Sequence, residues 1–161
     1  MSPPIELAIG DRGPRWFLIA FLVTQLVEVP IYERALRERH SAPATRGAPP
    51  DGPPTADKAH PRARAARIWI AFGASTITHP IVWFAMPALT VALLEAAARR
   101  GILLPHPGWN TIVYGLLAEG FAVGVEALYL RAFRVRRALL WSVAANACSV
   151  VLGTALVRVL G

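Results

Sequence analysis

Apolar positions gather in four long runs: residues 16–32 (WFLIAFLVTQLVEVPIY), 68–94 (IWIAFGASTITHPIVWFAMPALTVALL), 109–130 (WNTIVYGLLAEGFAVGVEALYL) and 138–157 (ALLWSVAANACSVVLGTALV). None contains a Lys, Arg or Asp. About 20 residues, rising about 1.5 Å each, cross a hydrocarbon core of roughly 30 Å. Each run therefore predicts a transmembrane helix, with boundaries near 16–36, 67–95, 109–133 and 137–159. The runs show none of the period-two alternation of a membrane β-barrel. They leave almost no polar helical face, which argues against a soluble bundle. The expected fold is an all-α integral membrane protein, a single transmembrane domain over 1–161 built from two tandem helical hairpins. The first run holds Gln25 and Glu28, is closed by Pro30 and Tyr32, and has no small-x-small cleavage site, so it reads as an uncleaved helix.

The connections differ in kind. Residues 41–61 (SAPATRGAPPDGPPTADKAHP) hold six prolines and almost no bulky apolar residue, which predicts a disordered linker. Gly101 to Gly108, with Pro105 and Pro107, predicts a short turn.

Charge gives these connections sides. The net charge is +7, and eight of the 17 Lys and Arg residues fall in the first connection (Arg34, Arg37, Arg39, Arg46, Lys58, Arg62, Arg64, Arg67). Four more fall in the third (Arg131, Arg134, Arg136, Arg137), and two in the second (Arg99, Arg100). By the positive-inside rule the first and third connections are cytoplasmic and both termini lie outside, in a bacterial cytoplasmic membrane. No aromatic residue is interleaved with these charges, so the expected partner is the lipid bilayer and not nucleic acid. An apolar fraction of 55% fits the same class. The single Cys148 cannot form an intrachain disulfide and reads as a small packing residue.

A weak internal repeat adds organisation. Val27-Glu28 is followed by Tyr32 and then Arg34-Ala35-Leu36-Arg37; Val125-Glu126 is followed by Tyr129 and then Arg131-Ala132-Phe133-Arg134. On the following helices Ser75-x-x-Thr78 resembles Asn146-x-x-Ser149. Two hairpins related by an axis along the membrane normal would put Glu28 and Glu126 face to face at equal depth.

Polar residues form one stripe per helix: Gln25, Glu28 and Tyr32; Ser75, His79 and Trp83; Glu119, Glu126 and Tyr129; Ser142, Asn146, Ser149 and Gly153. A carboxyl group near the bilayer centre costs about 2.5–3.5 kcal/mol, so these stripes should turn inward. The candidate binding residues are Glu28, His79, Glu119, Glu126 and Asn146, converging on a cavity that opens toward the cytoplasm. Glu28 and Glu126 would bind a proton or cation, His79 would be their partner, and Glu119 and Asn146 would line the path. Pro80 should kink the second helix beside His79. Serines 75, 142 and 149 read as packing residues, and Gly115, Gly120, Gly124 and Gly153 as points of close helix contact.

Three functional classes follow. Intramembrane Glu and His favour proton- or cation-linked binding or transport. The alternative is a structural or assembly subunit whose polar groups are interhelical hydrogen bonds; a third reading is an enzyme acting on a lipid or quinone, for which no nucleophile motif exists. No catalytic residue and no cofactor is predicted. A divalent metal on His79, Glu28 and Glu126 is chemically reasonable, although no Glu-x-x-His pair is present. Four helices scarcely enclose a wide pathway, so a homo-oligomer or a partner membrane subunit is expected.

Overall fold

The structure is a computed structural model and describes residues 14–40, 61–102 and 108–160. The Pro-rich stretch expected to be a linker lies outside these residues, except for Pro61, and so does most of the turn before Gly108. Helix α1 spans Pro14–His40, α2 Pro61–Pro80, α3 Met86–Arg99, α4 Gly108–Ala132 and α5 Ala138–Leu160. Four segments are long and apolar enough to cross a membrane, and the second joins α2 and α3 in one rod of 39 residues from Pro61 to Arg99. At about 1.5 Å per residue that rod is roughly 58 Å long, nearly twice the hydrocarbon core, so its Arg-rich first turns extend past the apolar layer.

The join between α2 and α3 is a π-helical turn over Ile81–Ala85. Pro80 removes one helical N–H at its start, and the backbone rewinds so that Met86 N–H bonds the carbonyl of Ile81, five residues back. The next donor in that register would be residue 87, which is a proline, so the carbonyl of Val82 is left without its helical partner. The hydroxyl of Tyr114 on α4 donates to it at 3.1 Å. Tyr114→Phe should therefore cost about 0.6 kcal/mol, and at most about 1.7, the range for interhelical hydrogen bonds in membranes. Equilibrium unfolding of the two proteins in bicelles checks this; a neutral Tyr114→Phe would mean the Val82 carbonyl finds another partner. The sequence marks a kink at Pro80, but the π turn depends on the second proline seven residues on.

Helix ends follow local rules. At the end of α4, Arg134 N–H bonds the carbonyl of Arg131 (2.8 Å) and Val135 N–H that of Leu130 (3.1 Å), with Arg134 at φ 57°. This is the paired Schellman arrangement, and Val135 and Leu130 supply its buried hydrophobic contact. The same pattern ends α3 through Gly101, at φ 77°, where glycine takes the left-handed conformation without strain.

Around the bundle, α1 packs against α2 and α5, while α4 packs against α5, α2 and α3, so α1 and α4 lie across the centre from each other. The close-packed core sits at the end of the bundle that carries the basic connections. There Tyr32, Ala35 and Leu36 of α1 meet Ala71 and Ala74 of α2, Leu130 of α4, Val135 of the turn, and Ala138 and Ala145 of α5. The alanines let these helices approach closely, as small residues do in membrane bundles. Gly73 does the same for Tyr129, since a Cβ there would lie 2.6 Å from the tyrosine hydroxyl. The glycines singled out in the sequence behave differently: a Cβ at Gly115, Gly120, Gly124 or Gly153 would meet nothing within 4 Å, so none mediates a close contact among the described residues. Glu33 ties α1 to α2 at this end, with Arg37 Nε at 2.6 Å and Arg67 Nε at 3.5 Å.

Candidate functional site

Glu126 is the junction of the bundle. It is 1% exposed, and its carboxyl gathers side chains from the three other membrane-crossing segments. Thr78 of α2 donates to Oε1 at 2.8 Å. The hydroxyl of Tyr32 on α1 and Nδ2 of Asn146 on α5 (2.6 Å) donate to Oε2, and Ser142 Oγ lies 3.4 Å from the same atom. Tyr32, Thr78 and Asn146 are its hydrogen-bond donors, while the single hydroxyl hydrogen of Ser142 goes to a backbone carbonyl. Asn146 also donates to the carbonyl of Ser142 (3.0 Å), and Ser142 to that of Val123 (3.0 Å), so the donors are themselves held in place.

Glu28 is as deeply buried, also 1% exposed, but is served differently. Its Oε1 accepts a hydrogen bond from Ser149 Oγ at 3.0 Å, while Oε2 has no hydrogen-bond partner. One turn away, Gln25 Nε2 donates to Ser75 Oγ at 3.1 Å and Gln25 Oε1 is likewise unpartnered. Leaving a buried acceptor unmade costs about 1–3 kcal/mol, and more for a charged group, so Glu28 is the conspicuous site of unmet demand. The serines read as packing residues are thus hydrogen-bonding members of the site: Ser142 and Ser149 donate and Ser75 accepts. Their hydroxyls fit the stripe spacing, but the spacing does not reveal that each lies opposite a polar atom on another helix.

His79 is half-buried and is not paired with Glu28 or Glu126. Its ring sits among Phe17, Phe21 and Trp83, at centroid distances of 5.5, 5.3 and 6.2 Å, and its Nε2 is buried without a partner. Glu119, two turns before Glu126, is exposed. Among the described residues no three His, Cys, Asp or Glu side chains come together as a metal-binding group, so His79, Glu28 and Glu126 do not converge as a ligand set.

Glu28, His79, Glu119, Glu126 and Asn146 nevertheless all line one cavity of about 630 Å³. Its direction differs from the one read in the sequence. Beyond Glu28 and Glu126 the wall continues through Trp16 and Val23 of α1, Tyr114 of α4, and Gly153 and Arg158 of α5. These residues lie toward the start of α1 and the end of α5, the end opposite the basic connections. On the other side of the two glutamates the close-packed core around Tyr32, Leu36 and Leu130 fills the bundle. Depth counted from the helix ends placed the carboxyls, but whether the space above or below them is filled depends on side-chain volume, and Tyr32, Leu36 and Leu130 supply that volume on the basic side.

Fold and site together define a multi-pass membrane protein with a buried carboxyl cluster beside an internal cavity. No protein-family model matches the chain, and neither a curated protein nor a solved structure matches it.

Proposed function

We propose that this protein binds a cation or proton in the cavity and moves it across the membrane, with Glu28 as the binding carboxyl. The observation that carries this reading is Glu28 itself, whose buried Oε2 has no hydrogen-bond partner among the described residues and whose side chain borders a cavity of about 630 Å³. Intramembrane carboxyls of this kind mark ion and proton pathways. Glu126 is held by hydrogen bonds from Tyr32, Thr78 and Asn146, and His79, Glu119 and Asn146 line the path. The proposal includes a bilayer orientation with both termini outside, in a bacterial cytoplasmic membrane, which makes the cavity open outward. It includes a second copy or a partner subunit to complete the pathway.

The internal repeat belongs to the same proposal. Its support is the reciprocity of the hydrogen bonds: Thr78 donates to Glu126 and its counterpart Ser149 donates to Glu28. Two equivalent carboxyls in unequal surroundings, one satisfied and one open, suit a site in which only one position accepts a ligand.

Ligand binding to the folded state stabilises it, by about 2.7 kcal/mol when the ligand is at 100 times its Kd. The melting temperature of the detergent-purified protein should therefore rise with a saturating cation or with acidification, and Glu28→Gln should abolish the rise. A flat response in both proteins would favour the second reading, a structural subunit, whose supporting observation is the cross-linking of four segments by Glu126.

A further inference from the structure

The cavity is much larger than a bare ion requires. A divalent cation is held by six or more oxygens at about 2.0–2.6 Å, whereas a volume of about 630 Å³ falls within the roughly 300–1,000 Å³ of pockets that enclose small organic molecules. Much of its wall is apolar or aromatic, with Trp16 and Trp83 among its rings. Between the two fully buried carboxyls, unmet demand falls on one. Glu126 has its oxygens occupied by Tyr32, Thr78 and Asn146, so the acceptor left open is Oε2 of Glu28. An open, buried carboxyl oxygen calls for an N–H donor carrying positive charge.

We propose that the cargo is a protonated amine with an apolar or aromatic body, its ammonium directed to Glu28 and its body extending along the apolar wall of the cavity toward Trp83. This rests on the reading of the cavity as a cation site and names the class of cation. A metal ion would leave the apolar volume unfilled, and a neutral amphiphile would leave the Glu28 carboxyl uncompensated. Gly153 gives the cavity part of its width, since it lies on the wall and a Cβ there meets nothing within 4 Å. A larger side chain at this position narrows the cavity one turn from Ser149 without forcing the helices apart.

Equilibrium dialysis of the full chain in lipid nanodiscs, with 4-phenylbutylamine as probe and 4-phenylbutanol as its neutral counterpart, tests this. The amine should bind saturably and at least tenfold tighter than the alcohol, a margin set by a hydrogen bond to a charged group at about 1.5–3 kcal/mol. Glu28→Gln should weaken the amine at least tenfold, and Gly153→Leu, which leaves Glu28 and its partners in place, should weaken it too. Equal binding of amine and alcohol, or amine binding unchanged by both Glu28→Gln and Gly153→Leu, would overturn the assignment. Saturable binding of Mn²⁺ that depends on Glu28, with no binding of the amine, would overturn the organic cargo and keep the cation site. Absence of saturable binding by either probe would overturn both.

Discussion

Tyr32→Ala is expected to lower the unfolding free energy by about 3–5 kcal/mol, the range for truncating a buried aromatic side chain. Tyr32 has no exposed surface and lies at the level where the close-packed core meets the carboxyl cluster. Its ring packs with Leu36 and Leu130, and its hydroxyl donates to Glu126. Truncation removes both contributions and opens a void against helices whose alanines cannot fill it. Tyr32→Phe keeps the ring and removes only the donor, so it should cost no more than about 1.7 kcal/mol. Both values can be read by equilibrium unfolding in bicelles. If Tyr32→Phe proves as damaging as Tyr32→Ala, the hydrogen bond and not the ring is what holds this layer.

Glu126→Leu should cost about 1.8 kcal/mol, taking roughly 0.6 kcal/mol for each of three interhelical hydrogen bonds in a membrane. The insertion penalty of the carboxyl does not offset this loss, because the helices remain in the membrane in the unfolded reference state and carry the same group there. Glu126→Gln should be far milder, below about 1 kcal/mol, for a specific reason. Thr78 Oγ1 also lies 3.2 Å from the carbonyl of Ser75, so its hydroxyl can turn there and accept from the new amide, while the remaining oxygen keeps Tyr32 and Asn146. Measuring both variants in one unfolding assay separates the cases. A Gln variant as unstable as the Leu variant would mean that the charge itself, and not the count of acceptors, organises the junction.

The sequence made the four membrane-crossing segments legible because uncharged runs of about 20 residues have few other uses. It also made the polar stripes legible, since i, i+3 and i+4 spacing fixes which side chains share a face. Glu28, His79, Glu119, Glu126 and Asn146 do border one cavity. What spacing could not supply was rotation and filling. The split between a satisfied Glu126 and an open Glu28 arises because Tyr32 reaches across the bundle to the former. His79 shares its stripe with Ser75, yet its ring is taken up by Phe17 and Phe21 of α1. These pairings are set between helices, at separations such as the 94 residues from Tyr32 to Glu126, where no local pattern carries information.

The hydrogen bonds of the two glutamates also order the chain's birth. A chain made from its N-terminus delivers Tyr32 and Thr78 to the membrane before Glu126 arrives, so that carboxyl finds two of its donors waiting. Glu28 enters with the first helix, and its donor Ser149 follows 121 residues later on the last. The nascent protein thus carries an unmatched acid through most of its synthesis, and arrival of α5 both closes the ring of helices and gives Oε1 its donor.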